Sequence, residues 1–142
     1  MTVHILKQRG FSLIELMVVV SIIAILLTFV VPKIFDKPDQ ARLVQAKHNI
    51  KALESALQFY RNDNYDYPST EQGLQALVQQ PSGEPEAPNW QGYMDKLPKD
   101  PWGNDYQYLY PGTHGEIDIY TLGRDKRLGG EGVNADIGNW DL

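Results

Sequence analysis

One long apolar run dominates the N-terminal part of the chain. It extends from Phe11 to Val31, and at about 1.5 Å per residue it would form a helix of roughly 30 Å, enough to cross the apolar core of a bilayer. Lys7 and Arg9 precede it, and positive residues hold their end of a span in the cytoplasm. The pattern predicts a membrane-spanning helix over 11–32. Four polar residues interrupt the run: Ser12, Glu15, Ser21 and Thr28.

A cleaved secretory signal peptide is the alternative interpretation of this run. Such a peptide has a shorter apolar core that ends in a small-residue cleavage site, and no such site follows the run here. The only small-residue break is Gly10, and a cut there would leave the apolar segment on the product. Pro32 lacks a backbone N–H, so we expect it to kink, loosen or end the helix near the membrane boundary.

A second helical pattern follows the span. Apolar residues recur at spacings of three and four, and charged residues occupy the opposite face, which is typical of an amphipathic helix. The run 62–64, Asn-Asp-Asn, is typical of a helix end. The sequence therefore predicts that the helix continues over 33–64 and packs one face on the domain behind it. That face consists of Leu43, Ala46, Ile50, Leu53, Leu57 and Tyr60.

The remainder of the chain, 65–142, has the pattern of a small water-exposed domain. A capping residue at Ser69 and the apolar positions that follow it predict a short helix. The segments 105–110 and 116–122 are rich in aromatic and β-branched residues, and the Gly- and Pro-containing turn between them predicts an antiparallel hairpin. The predicted fold class is α+β, with a long N-terminal helix packed on a small antiparallel sheet and a Gly-rich C-terminal loop.

Composition narrows the function classes further. The 142-residue chain suggests one domain with an appendage, and it carries a net charge of −5 and no cysteine. The lack of cysteine excludes a disulfide scaffold, thiol chemistry and Cys-based zinc sites. The negative charge argues against a nucleic-acid partner.

Several short strings carry a resemblance to a known family. The string GFSLIE at 10–15 resembles the processing site of type IV pilins and of type II secretion pseudopilins. Three further strings are similar to the major pseudopilins of type II secretion: TEQGLQAL at 70–77, LPKDPWG at 97–103, and DIGNW at 136–140. The resemblance covers most of the chain and implies a type IV pilin-like fold.

The resemblance also implies a processing event. A prepilin peptidase is expected to cut between Gly10 and Phe11 and to methylate the new amino group of Phe11. Residues 1–10 would then be a cleaved basic leader. The mature protein would cross the inner membrane of a Gram-negative bacterium once, with its C-terminal domain in the periplasm.

Glu15 is the unusual member of the apolar run. A carboxylate in the bilayer costs roughly 2.5–3.5 kcal/mol on insertion scales, so it needs a cation. The new α-amine of Phe11 on a neighbouring subunit is the expected partner. Because desolvation offsets much of the attraction, the expected role of Glu15 is to set the register of one subunit against the next. The alternative is an interfacial glutamate that only reaches the lipid headgroups.

The Gly-rich loop after the hairpin is the candidate metal site. Hard oxygen ligands in a flexible loop suit calcium, although composition alone favours an ordinary polar turn. The resemblance implies a calcium site here, with the backbone carbonyls of Leu122 and Val133 and the carboxylates of Asp125 and Asp136 as ligands. One position departs from the family. Ala135 stands where a second adjacent acid is common, so Asn134, Glu131 or water is expected to replace one ligand.

The resemblance implies a structural subunit that assembles into a helical fibre, the pseudopilus, and drives export of folded exoproteins across the outer membrane. Its expected partners are other copies of the chain, minor pseudopilins, the prepilin peptidase, the inner-membrane assembly platform, the outer-membrane secretin and membrane lipid. The alternative is a type IV pilus major pilin for adhesion or motility.

A membrane-anchored enzyme is the third hypothesis. It would use His114 as a base and surrounding carboxylates as acids, but no nucleophile motif accompanies them. We therefore expect no enzyme activity. The carboxylates in question are Asp95, Asp100, Asp105 and Asp118.

Overall fold

The computed structural model describes residues 10–142, apart from the side chains of 29–37. The chain divides into two compact units, Met1–Pro38 and Asp39–Leu142. The helix α1 is assigned over Leu13–Asn64 and contributes to both units. The predicted leader, 1–10, lies outside the described residues except for Gly10, and the side chain of Pro32 lies outside them as well.

The second unit adds a small sheet to the end of α1. Three strands pair in the order β1-β2-β3, and both pairs are antiparallel. Tyr108 on β1 pairs with Ile119 on β2, and Thr121 on β2 pairs with Ile137 on β3. The predicted α+β class is confirmed. The strands are β1 (Gln107–Leu109), β2 (Asp118–Thr121) and β3 (Ile137–Gly138), and three 3-10 helices cover Leu74–Leu77, Gly132–Asn134 and Asn139–Asp141.

The apolar face of α1 forms the centre of the core in this unit. Ile50, Leu53 and Leu57 are completely buried, as the spacing of apolar residues predicts. They belong to one cluster with residues of the 3-10 helix and of the sheet, because each element has a single apolar face to bury. The other buried members include Ala46, Tyr60, Leu74, Leu77, Tyr106, Tyr108, Ile117, Ile119 and Ile137.

The short helix predicted after Ser69 is a 3-10 helix of four residues. Ser69 and Gln72 cap the turn before it reciprocally: Gln72 N donates to Ser69 Oγ at 3.2 Å, and Ser69 N donates to Gln72 Oε1 at 3.0 Å. Gly73 then adopts φ +61°, which an α-helix does not accommodate. The sequence signal for the cap is therefore real, but Gly73 prevents the turn from continuing as an α-helix.

The strand β3 lies inside the segment predicted as loop. It is only two residues long, so period-2 alternation cannot reveal it. The hairpin strands are also shorter than predicted at both ends. A single bridge between Lys99 and Asp105 and the bonds of Thr70 to Tyr110 replace regular ladder pairing near the ends of β1.

Candidate functional site

The first candidate site is the start of α1. Ser12 occupies the N-cap position, where its carbonyl accepts hydrogen bonds from Glu15 N and Leu16 N. Glu15 reaches back, and its Oε2 accepts a hydrogen bond from Ser12 N at 3.4 Å. Ser-Leu-Ile-Glu is therefore the Ser-x-x-Glu pattern of a capping box, and a carboxylate in the first turn also suits the helix dipole. The interpretation of Glu15 as a membrane carboxylate missed this local role, although the pattern was visible in the sequence.

The apolar side chains that follow have no cover within the described structure. Every described residue from Gly10 to Thr28 is exposed, including large side chains such as Phe11, at 84%, and Leu13, at 78%. Contiguous exposed apolar surface of this kind marks a contact with protein or membrane. Within the part of the chain that the structure describes, no helix is both long and apolar enough for a membrane crossing. The predicted span over 11–32 extends into residues whose side chains are not described.

The second candidate site is the loop between β2 and β3. Because Thr121 pairs with Ile137, the sheet holds both ends of the loop side by side. Arg124 N donates a hydrogen bond of 2.9 Å to Val133 O, which closes the base of the loop. Gly123 has φ +65°, and a Cβ there would lie 2.8 Å from Val133 O. The base of the loop therefore requires glycine both for conformation and for space.

The two acids predicted as metal ligands take different positions in this loop. Asp125 is exposed, and its Oδ1 accepts a hydrogen bond of 3.1 Å from Arg127 N. Asp136 is half-buried, and its Oδ2 accepts one of 2.9 Å from Gly129 N. The carbonyl of Val133 has one acceptor direction occupied by Arg124 N and keeps a second lone pair. No group of three His, Cys, Asp or Glu side chains suited to a metal occurs among residues 10–28 and 38–142.

Two buried oxygens in the loop have no hydrogen-bond donor within the described residues. They are Oδ1 of Asp136 and Oδ1 of Asn134. A buried acceptor without a donor is costly, and a bound ion or an ordered water usually supplies the partner. One carboxylate oxygen and one amide oxygen, with backbone carbonyls nearby, are hard oxygens of the type that calcium binds, and calcium takes six to eight of them. The residues present therefore fit a calcium ion, and Asn134 stands beside the position where Ala135 lacks a carboxylate.

The third feature is a cluster around Asp118 that the sequence interpretation did not connect. Asp118 is 1% exposed and accepts hydrogen bonds from Thr113 N at 2.8 Å and from His114 N at 3.1 Å. His114 Nδ1 lies 3.0 Å from Asp118 Oδ2, and the imidazole stacks on Trp140 at 3.8 Å. Burial raises the pKa of Asp118, but the bonds from His114 and the two backbone N–H groups outweigh it, so this pKa lies below its ordinary value.

Three of the four carboxylates considered for an enzyme have structural partners instead. Asp100 and Asp118 are buried, and both accept several hydrogen bonds from turns beside the sheet; Asp100 also accepts one from Thr121 of β2. Asp105 forms an exposed ion pair with Lys99, and Asp95 is exposed. The four acids therefore hold turns or face solvent, and the His114 ring lies within hydrogen-bond distance of one of them, Asp118.

Comparison with known proteins identifies the family of this chain. Residues 33–140, more than half of the chain, match the family described as type II secretion system (T2SS), protein G. The chain belongs to the type II secretion system protein G family. Residues 5–31 also match the prokaryotic N-terminal methylation motif, which covers the predicted processing segment.

Protein G relatives match over nearly the whole length. The type II secretion system core protein G of Pseudomonas aeruginosa PAO1 is 56% identical over 137 residues, which cover 95% of this chain and 96% of that protein. The core protein G of Vibrio cholerae is 54% identical over 138 residues, covering 96% and 94%. The crystal structure of the major pseudopilin from the type 2 secretion system of enterohaemorrhagic Escherichia coli superposes with a TM-score of 0.70 at 47% identity, covering 80% of this chain and 98% of that one.

These matches decide between the two assembly hypotheses. The predicted resemblance to the major pseudopilins is confirmed, because relatives of the protein G family match in sequence and in fold. The alternative of a type IV pilus pilin is disfavoured. The ligand residues of the loop and the processing residues at Gly10 and Phe11 stay predictions.

Proposed function

We propose that this protein G chain is the repeating subunit of a type II secretion pseudopilus, a helical fibre that drives folded exoproteins across the outer membrane. The subunit acts as a structural element and not as an enzyme. The relatives are type II secretion system core proteins G, and the solved neighbour is a major pseudopilin. The fibre would also contact minor pseudopilins, the inner-membrane assembly platform and the outer-membrane secretin.

The exposed apolar surface of the first unit is the observation that carries this proposal. Between Phe11 and Leu27, thirteen large apolar side chains are each 47% exposed or more. At about 25 cal/mol per Å², such a surface favours burial against lipid or against other copies of the same helix. We call the apolar segment 11–32 the stem. A stem that moves from the membrane into a bundle of such helices keeps its apolar surface away from water throughout.

Glu15 is proposed to select the register of this packing. Its carboxylate caps its own helix through Ser12 N at a long 3.4 Å, so one oxygen is weakly used and the charge stays available. After cleavage between Gly10 and Phe11, the new N-methylated amine of Phe11 on a neighbouring subunit supplies the cation. A misplaced subunit would leave the carboxylate unpaired in an apolar environment, which is strongly unfavourable.

The membrane arrangement is part of the proposal. The stem over 11–32 crosses the inner membrane once before assembly, with Lys7 and Arg9 of the leader in the cytoplasm. The prepilin peptidase acts on that side. The unit from Asp39 onward lies in the periplasm, where it forms the surface of the fibre.

Calcium is the proposed ligand of the loop between β2 and β3. Asp125, Asp136 and the carbonyls of Leu122 and Val133 would hold it, and the unpartnered Oδ1 of Asp136 supports this assignment. When bound, the ion supplies a fixed positive centre that joins the two sides of the loop. Because the loop ends at β3, the residues that hold the ion also fix the last strand of the sheet.

The test separates the charge of Glu15 from its capping role. Glu15→Gln keeps an acceptor for Ser12 N, because Gln also serves in a capping box, but it removes the charge. Full-length protein with the secretion machinery should form fibres visible by electron microscopy. We expect Glu15→Gln to be processed at Gly10 normally and to lose fibres and exoprotein release, because uncharged Gln cannot pair with the amine.

Ser21→Ala provides the control in the same stem. The hydroxyl of Ser21 donates a hydrogen bond to Met17 O within its own helix, so this variant should assemble as the unmodified chain does. Normal fibres from Glu15→Gln would reject the register role of the charge. Failure of the unmodified chain to form fibres would reject the proposed function itself.

A further inference from the structure

A basic loop projects from the domain between β2 and β3. It consists of Arg124–Leu128, and all five residues are exposed, with Leu128 at 81%. Its backbone is held at both sides, because Arg124 N bonds to Val133 O and Gly129 N bonds to Asp136 Oδ2. Lys126 has φ +60°, an uncommon conformation for a residue with a side chain, which tightens the tip. The loop is thus presented as a defined surface feature.

The cations of this loop have no ionic partner within the described part of the chain. Arg124, Lys126 and Arg127 form no ion pair there. The carboxylate of Asp125 accepts a hydrogen bond from the backbone N–H of Arg127. The loop carries three positive charges and one negative charge, in a chain whose net charge is −5. A concentrated positive patch beside an exposed leucine is a surface that fits an acidic partner with some apolar area.

The same chain carries a surface of the opposite charge. Residues 62–95 contain six Asp or Glu and no Lys, Arg or His. Two of these acids, Glu71 and Glu84, are exposed and line one groove of about 390 Å³ together with glutamines and Pro81. Neither acid forms an ion pair within the residues described. The groove would receive a cationic side chain and an adjoining apolar one.

The groove is preformed within the single chain. Gln72 donates through Nε2 to Ser82 O at 3.3 Å and to Pro85 O at 3.1 Å, which fixes the loop that bears Glu84. Ser69 and Gln72, which also line the groove, cap each other. A preformed wall lowers the ordering cost of binding.

We infer that the basic loop, Arg124–Leu128, of one subunit docks into the groove between Glu71 and Glu84 of the next subunit in the fibre. This inference rests on the proposed function, because it requires copies to stack. The occupant is a second copy, since each copy carries both halves of a complementary pair that forms no ion pair among the described residues of one chain. Two different surfaces that meet in this way form a heterologous contact, which is the geometry of an open helical fibre.

The absence of native cysteine makes the contact directly measurable. One full-length variant carries Leu128→Cys and a second carries Ser82→Cys, which is nearly isosteric and lies in the groove wall. Fibres grown from the two mixed proteins should form a disulfide-linked dimer under mild oxidation. The matched control replaces Ser82→Cys with Ser55→Cys, an exposed serine of α1. We expect at least about tenfold less cross-linked dimer in the control, the ratio that 1.4 kcal/mol would give.

Charge reversal tests whether the carboxylates receive the cations. Arg124→Glu with Arg127→Glu should reduce the Leu128→Cys cross-link to Ser82→Cys about tenfold, because like charges then face each other. Combining it with Glu71→Arg and Glu84→Arg should restore the cross-link. Fibres that show no cross-link, or a cross-link to another protein only, would overturn the contact and leave the proposed function standing. If no fibres form from the unmodified chain, both the contact and the proposed function fail.

Discussion

The hydroxyl of Thr121 donates a 2.6 Å hydrogen bond to Oδ2 of Asp100, and both side chains are buried. Asp100 Oδ1 also accepts bonds from Trp102 N at 3.0 Å and Asn104 N at 2.7 Å. One buried carboxylate therefore joins the turn before β1 to the last residue of β2. Thr121 Oγ1 in turn accepts from Gly123 N at 3.2 Å, so the same pair reaches the base of the candidate metal loop.

Removing the hydroxyl of Thr121 should destabilise the domain measurably. Thr121→Val keeps the shape of the side chain and leaves Asp100 with one donor fewer, a loss of about 1.5–3 kcal/mol for a bond to a charged group. Urea unfolding of the fragment 39–142, which contains the whole core, measures the difference. Thr113→Val is the control, because Thr113 is exposed and contributes its backbone N–H, and it should change stability by less than about 0.5 kcal/mol. Equal effects of the two variants would contradict the role of the Asp100 bond.

Calcium should stabilise the same fragment. At a hundredfold excess over Kd, a ligand that binds only the folded form adds about 2.7 kcal/mol, which corresponds to a rise in Tm of roughly 10–20 °C. Asp125→Ala and Asp136→Ala should each remove most of that rise. Asp105→Ala, which deletes an exposed acid paired with Lys99 away from the loop, should preserve it. A melt that is the same in calcium and in a chelator would reject the proposed ion.

Gly138 is predicted to be sensitive to substitution because of Trp140. A Cβ on Gly138 would collide with the indole ring, whereas its backbone angles are ordinary. Gly138→Ala should cost about 1–3 kcal/mol through overpacking, measured by urea unfolding. Gly115→Ala serves as the control, since the nearest atom to its added Cβ is 3.8 Å away. In the double variant with Trp140→Ala, the cost of Gly138→Ala should shrink, and two fully additive effects would contradict the clash.

Acid should weaken the domain through Asp118. Its pKa is lower in the folded state than the ordinary value of about 3.9, because bonds from His114 and from backbone N–H groups outweigh burial. In the acid range the unfolded chain therefore binds the proton more readily, and stability rises with pH there. The contribution is complete above about pH 3.9 and is lost as pH falls through the lower folded pKa.

Asp118→Asn isolates this contribution. It should be less stable than the unmodified fragment at pH 6, and its free energy of unfolding should fall less steeply between pH 5 and about pH 2. Asp95→Asn is the control, because Asp95 is exposed. Parallel curves for the unmodified fragment and Asp118→Asn would show that the Asp118 carboxylate does not contribute.

The sequence predicted the elements that depend on local pattern. The spacing of Ile50, Leu53 and Leu57 identified the buried face of α1, and the turn between two β-rich segments identified the hairpin. Two predictions needed correction. Gly73 converts the expected short helix to a 3-10 turn, and β3 is too short to show a period.

The sequence by itself determined the apolar stem, the fold class and the family, because these depend on residue order and periodicity. Only the tertiary structure decided which polar groups meet. It joined Asp100 to Thr121 across 21 positions and stacked His114 on Trp140. It also left Oδ1 of Asp136 buried without a donor among the described residues. Such contacts depend on how the turns and the three strands fold together, and no local pattern encodes the distance between side chains that are far apart in the chain.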